Sequence, residues 1–299
     1  MRQLRKIIVG QDLGLGGEVA LGSAVVLANR CGAELRIVHV VEALDAYQRM
    51  SHPFTTPYSE EEIVQKIGAR LKTLLAGPEL AGLPAQYEVR SGKPFVELII
   101  AARAWLADLI VVGGASEAVG LFLGSTSERI VRKAQTPVMV AKRLLRSEPR
   151  IILVPTDFSL CARSAAEEAL MLAKSFPARV AFFHVLDPYL SHIAYTHELG
   201  VSVPIPPPSP REIEPVWDAF LSEMALEKVD WGKSTGEGQA APAIVQQAEN
   251  IRADMIVMGT HGRSGLPHML LGSVAEKVVR AAPCCVLTVR PEGFQFQLP

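Results

Sequence analysis

The feature that most constrains this chain is that it repeats itself. Ile7-Ile8-Val9-Gly10-Gln11-Asp12 returns as Ile152-Leu153-Val154-Pro155-Thr156-Asp157. At the same offset of 145 residues Ala28 matches Ala173, His39 matches His184, Val40 matches Val185 and Glu42 matches Asp187. The offset becomes 146 for Gly92 with Gly238, Asp108 with Asp254, Ile110-Val111 with Ile256-Val257 and Gly113 with Gly259. It becomes 148 for Gly124-Ser125 with Gly272-Ser273, Glu128 with Glu276, Arg132 with Arg280 and Val138 with Val286. A register held over so long a stretch means one fold duplicated. The 299 residues then divide into a first domain, 1–146, and a second, 147–299, joined near 145–149. That agrees with the roughly 100–200 residues typical of a domain.

Each copy alternates short apolar runs with longer amphipathic segments. In the first copy the pattern predicts strands near 5–10, 34–41, 85–90, 108–113 and 137–141, and helices near 18–31, 59–76, 95–106 and 124–134. Runs such as Leu109-Ile110-Val111-Val112 are apolar throughout, as in strands covered on both faces. Alternating βαβ units give a parallel sheet with right-handed crossovers. The expected architecture is therefore α/β: two tandem copies of a five-stranded, parallel, doubly wound domain.

Composition narrows the function classes. Thirty Lys+Arg against 31 Asp+Glu leave a formal charge of −1, which argues against an electrostatic nucleic-acid binder. No apolar stretch reaches the ~18 residues of a membrane span. Gly10, Gln11 and Asp12 interrupt the apolar segment near the start, so no secretory signal is read there. Cys31, Cys161, Cys284 and Cys285 lack metal-site spacing and read as small core residues of a protein in a reducing, cytoplasmic setting. Val203-Pro204-Ile205-Pro206-Pro207-Pro208-Ser209-Pro210 reads as a stiff loop beside the site, in the place that His52-Pro53 to Pro57 take in the first copy, rather than as a PxxP ligand.

Ligands of open parallel sheets bind beyond the carboxyl ends of the strands. There the second copy carries Gly259-Thr260-His261-Gly262-Arg263-Ser264-Gly265 and, seven residues on, Gly272-Ser273 opening a helix. Glycines allow sharp turns and close backbone approach to a ligand. A serine at a helix start offers an N-cap hydroxyl, and the first turn offers free N–H groups to an anion. Arg263 suits phosphate through its forked donors. Two glycine turns flanking a helix start make a phosphate cradle.

The spacing Gly259-x2-Gly262-x9-Gly272-Ser273 resembles the ATP-binding signature of the universal stress protein family (UspA-type), and the resemblance extends over essentially the whole chain. It implies a Rossmann-like fold of the adenine nucleotide alpha hydrolase-like kind, often in tandem, whose members bind ATP without a strong known catalytic activity. In the second domain it implies Pro155, Thr156 and Asp157 beside the nucleoside and Val185 at adenine. Met258, Gly259, Gly262, Gly272, Ser273 and Val274 then hold phosphates and ribose, Arg263 adds its donors, and Asp157 is the candidate ligand should Mg²⁺ accompany ATP. It also implies that the fifth strand, Val138–Ala141 and Val286–Val289, pairs the two domains as an intramolecular pseudo-dimer. Further homodimerisation and a protein partner are left open.

The first copy departs from the pattern. It has lost two residues between Gly113 and Gly124, and Ser116 stands where the second glycine belongs. Asp12, Val40, Gly113, Gly124 and Ser125 are therefore expected to form a weak or vestigial site that holds a smaller ligand or none.

Other motifs fail on their own terms. Gly232-Lys233-Ser234 lacks the first P-loop glycine, position 227 being Glu227. Gly14-Leu15-Gly16 would need glycine at 19, which is Val19. Gly262-Arg263-Ser264-Gly265 breaks the nucleophile-elbow pattern at Leu266. His39 and His184 end matching apolar strands, which favours packing over metal ligation, and Glu42 and Asp187 read as solvated strand-end residues. No paired general acid and base accompany the glycine loop, which speaks against a fast enzyme. The expectation is an ATP-binding stress regulator or sensor. A slow adenine-nucleotide hydrolase using Asp157 and His261, and a non-binding interaction scaffold, are the alternatives.

Overall fold

The computed structural model describes residues 3–42, 59–114, 125–145, 148–187, 192–196, 201–205, 209–262 and 271–290. Two compact units emerge, one of residues 1–148 with 295–299 and one of 149–294. The first contains β1 (Lys6–Gly10), α1 (Leu15–Cys31), β2 (Glu34–Val41), α2 (Glu60–Leu75), β3 (Ala85–Ser91), α3 (Pro94–Trp105), β4 (Leu109–Gly113), α4 (Ser125–Lys133) and β5 (Val138–Ala141). The second contains β6 (Ile151–Pro155), α5 (Leu160–Ser175), β7 (Arg179–Leu186), β8 (His192–Thr196), β9 (Val201–Ile205), α6 (Pro210–Ser222), β10 (Asp230–Glu237), α7 (Ala240–Asn250), β11 (Met255–Gly259), α8 (Ser273–Ala281) and β12 (Cys285–Val289).

Within the first unit the strands run β5-β4-β1-β2-β3, all parallel. The second repeats that order as β12-β11-β6-β7-β10. The central strands are buried on both faces: Ile7, Ile8, Val9, Ile110 and Val111 are fully enclosed, as are Ile152, Leu153, Val154, Ile256 and Val257. In each unit the chain leaves the first strand in one direction and the fourth in the other, so the ends of β1 and β4, and of β6 and β11, define the switch point where such sheets bind ligands.

Matched residues do matched work. Asp108 Oδ2 accepts the N–H groups of Arg5 (2.9 Å) and Lys6 (3.0 Å), and Asp254 Oδ2 accepts those of Arg150 (2.9 Å) and Ile151 (3.1 Å). Both aspartates therefore secure the start of their unit's central strand. Arg132 and Arg280, in the last turns of matching helices, form i,i+4 ion pairs with Glu128 (2.9 Å) and Glu276 (3.0 Å).

One expectation is corrected here. The stretch beginning at Val203 is not all loop: Val201–Ile205 is a strand, pairing antiparallel with His192–Thr196, with Pro204 inside it. Proline is tolerated in such a hairpin because each strand of a two-stranded sheet has an edge without a partner. Residues 206–208 lie outside the described residues. Gly232-Lys233-Ser234 falls inside β10, where Lys233 Nζ pairs with Glu214 (2.5 Å).

Candidate functional site

In each unit the residue after the strand-end aspartate takes a left-handed backbone conformation, Leu13 at φ 61° and Phe158 at φ 63°. Non-glycine residues adopt that region uncommonly. The kink folds the aspartate back over the following turn. Asp12 Oδ1 accepts from Gly14 N and Gly17 N, both at 2.9 Å, and Asp157 Oδ1 accepts from Ser159 N (3.1 Å). Thr156 Oγ1 braces the same turn by accepting from Phe158 N (2.9 Å). Each strand-end histidine secures the turn from the neighbouring strand, His39 Nδ1 lying 2.6 Å from Gln11 O and His184 Nδ1 2.8 Å from Thr156 O. These histidines hold backbone.

In the second unit Asp157 and the glycines converge. A Cβ built on Gly262 would lie 2.6 Å from Asp157 Oδ2. One on Gly259 would meet Cys161 Sγ at 2.8 Å, and one on Gly272 would meet Thr260 O at 3.1 Å. A side chain at Gly259 would press on both the thiol and the backbone of Cys161, whereas one at Gly262 would displace the Asp157 carboxylate and one at Gly272 would need the Thr260 carbonyl to give. Gly272 N donates to Thr260 O (2.8 Å), drawing the start of α8 towards the end of β11. The expectation that a serine caps this helix is corrected: Gly272 is the cap residue, without a side-chain bond, and Ser273 is the exposed first helical residue. Its hydroxyl is left for solvent or a ligand. Pro155 and Thr156 are buried at the end of β6, Met258 is buried in β11, and Val185 and Val274 are half-buried. Arg263 lies outside the described residues.

Phe158 contributes a wall. Its ring lies 4.5 Å from that of His184, 4.9 Å from Trp217 and 5.4 Å from Phe220, centroid to centroid. Arg290 was not foreseen. It directly follows β12 with 7% of its surface exposed, and burial pushes its guanidinium down to about 10 while nearby Cys161 pushes it up, so it stays charged at neutral pH. Cys161 Sγ donates to Val289 O (3.4 Å) just beneath Gly259. The only signal in the sequence is a basic residue closing the last strand of each copy, Lys142 and Arg290.

The first unit carries a cleft of about 680 Å³ at the equivalent place. Asp12, Val40, Gly113 and Ser125 line it, so four of the five expected residues meet there; Gly124 lies outside the described residues. Glu42, read as a solvated strand-end residue, also lines it. Gly113 and Gly16 touch backbone to backbone, since a Cβ on Gly113 would lie 2.4 Å from Gly16 O. Ser127 Oγ donates to Gly113 O (2.7 Å), fastening α4 to β4. Among the described residues no three His, Cys, Asp or Glu side chains gather as a metal site, and no helix is long and apolar enough to cross a membrane.

A doubly wound α/β unit with glycine turns at its switch point, present twice, defines the class to which this chain belongs. The family model of the universal stress protein family matches residues 3–142 and again 149–290, so the chain is a member of that family with two such domains. A universal stress protein of Mycolicibacterium smegmatis is 27% identical over 299 residues, covering 95% of this chain and 97% of that protein. One of Methanocaldococcus jannaschii is 37% identical over 150 residues, covering 46% of this chain and 81% of its own length. The crystal structure of a universal stress protein from Archaeoglobus fulgidus superposes with a TM-score of 0.72 at 21% identity, covering 97% of this chain and all of the other, and supports the fold.

Proposed function

We propose that the second unit binds ATP and that the protein acts as a stress-related nucleotide sensor. The observation that carries this reading is the approach of Gly262 to Asp157, with 2.6 Å between a would-be Cβ and Oδ2. It brings the glycine turn against the strand-end carboxylate and leaves no side chain between them. With Gly259 and Gly272 it forms a backbone cradle opposite the start of α8, whose first N–H groups favour an anion. Asp157 and Thr156 border the nucleoside, Val185 offers main-chain groups to the base, and Ser273 faces the phosphates. Asp157 is the ligand for Mg²⁺ carried in with ATP.

The test is direct. Denaturing the purified protein and chromatographing the supernatant should release adenine nucleotide, and adding ATP–Mg²⁺ should raise the melting temperature. At a hundredfold excess over Kd the stabilisation is about 2.7 kcal/mol. Gly262→Val, which forces a branched side chain onto Asp157, should abolish both. Unchanged ATP affinity in that variant would mean the site lies elsewhere.

A further inference from the structure

We infer that Arg290 sets the phosphate preference of the second unit's site, as a fixed positive charge at the root of the glycine cradle that favours a triphosphate over a bare nucleoside. This rests on the ATP reading of that site, for which Arg290 is a specificity-determining residue acting through the glycine turn. Arg290 directly follows Val289, the register partner of Gly259 at the end of β11. Val289 O accepts from Thr260 N (3.0 Å) and from Cys161 Sγ (3.4 Å). Thr260 O in turn accepts from Gly272 N (2.8 Å), and a Cβ on Gly259 would lie 2.8 Å from Cys161 Sγ. The end of β12, the turn after β11 and the starts of α5 and α8 are therefore tied together. Arg290 is buried at that junction, with Cys161 as an electrostatic neighbour.

Burial and charge together give this position its reach. Even with its guanidinium pushed down to about 10, the residue keeps its charge at neutral pH. A buried charge acts through a lower dielectric than an exposed one and is screened much less by salt. It therefore bears on a phosphate group without touching it. Among the described residues assigned to the ATP site, Asp157 is the charged one, and it is an anion. Arg290 supplies the opposing charge, and its effect grows with the number of phosphates on the ligand.

The first unit supplies the contrast. Lys142 follows β5 at the matching place, and Gly114 N donates to Ala141 O (2.9 Å) as Thr260 N does to Val289 O. A Cβ on Gly114 would lie 3.0 Å from Lys142 Cδ, so that basic side chain runs along the first residue after β4. Lys142 is only half-buried, and its ammonium is a strongly hydrated point charge on a flexible stem. The planar, weakly hydrated guanidinium of Arg290 is the cation better suited to act from inside the protein. The phosphate preference is thus a property of the second unit.

The test uses the full chain carrying Arg290→Met, Arg290→Gln or Arg290→Lys, with nucleotide first removed by denaturation and refolding. Calorimetric titration at neutral pH gives affinities for ATP–Mg²⁺, AMP and adenosine, and melting curves report folding. Both neutral variants should lose about tenfold in ATP affinity, the order expected of one buried charge acting on phosphate, while adenosine shifts by less than about twofold. AMP should fall between the two, and Arg290→Lys should recover most of the loss. An equal loss for all three ligands would mark a structural role and overturn the inference. So would unchanged ATP affinity, a loss in Arg290→Lys as deep as in the neutral variants, or neutral variants that do not fold. If the parent chain binds none of the three ligands, the ATP reading fails and this inference with it. If the parent binds ATP and the neutral variants bind it as well, the inference fails alone.

Discussion

At the level of single residues, Gln11 and Gly17 form a pair that the second copy has rewritten. A Cβ on Gly17 would lie 1.7 Å from Gln11 Oε1 and 2.6 Å from Asp12 Oδ1. The long side chain of Gln11 therefore requires glycine at 17. In the other copy the shorter Thr156 leaves room, and the matching position is Ala162. Helix propensity alone says Gly17→Ala should stabilise α1 by roughly 0.5–1 kcal/mol. The contact says the reverse: the glutamine must leave, Leu13 N loses its acceptor, and overpacking of this kind costs about 1–3 kcal/mol. We expect Gly17→Ala to lower the urea midpoint and Gln11→Thr with Gly17→Ala, which copies the second unit's pair, to recover most of the loss. A Gly17→Ala chain as stable as the parent would refute the coupling. The strand-end aspartates and the glycines were legible in the sequence because their chemistry and spacing are distinctive. The Gln11–Gly17 coupling and the left-handed Leu13 and Phe158 were not, because each depends on which atoms meet across a turn rather than on residue type.

Whole elements were easier to read than their irregular insertions. In the first copy the strands and helices fall within a few residues of expectation, since apolar runs and 3.6-residue periodicity decide them locally. The β8–β9 hairpin was hidden because the prolines around Pro204 masked the period-two alternation of Val201, Val203 and Ile205. Just after it, α6 opens with a capping box, Glu212 Oε2 accepting from both the N–H and the hydroxyl of Ser209 (2.7 Å each). The hydroxyl bond, then the backbone bond, holds the Glu212 carboxyl below the ordinary glutamate range. A carboxylate with a lowered folded-state pKa contributes above its unfolded value and loses that contribution as pH falls through the folded one. The first turn of α6 should therefore fray only under acid stronger than that which protonates an ordinary glutamate. Carboxyl chemical shifts followed through an acid titration would give Glu212 a depressed midpoint that Ser209→Ala, which removes the hydroxyl bond and keeps the backbone one, raises part of the way towards normal. An unmoved midpoint in that variant would remove the box as its cause.

At the scale of the molecule, duplication has left two units of the same strand order with unequal switch points. Both keep the aspartate, the histidine-braced turn and the helix start. They differ in the loop after the fourth strand, which is two residues shorter in the first copy and carries Ser116 and Glu117 where the second has Gly262 and Arg263. On the ATP reading proposed above, the shared parts would position the nucleoside and the differing loop would bear on the phosphates, so the inequality should act on the phosphate tail. This gives the fold a measurable asymmetry. With nucleotide first removed by denaturation and refolding, titration of the whole chain with ATP–Mg²⁺ should saturate at one equivalent, and Gly262→Val should reduce that to none. Two equivalents of equal affinity would show that a backbone cradle holds a triphosphate despite the shorter loop and the reversed charge. The difference between the copies would then be one of sequence without consequence for binding.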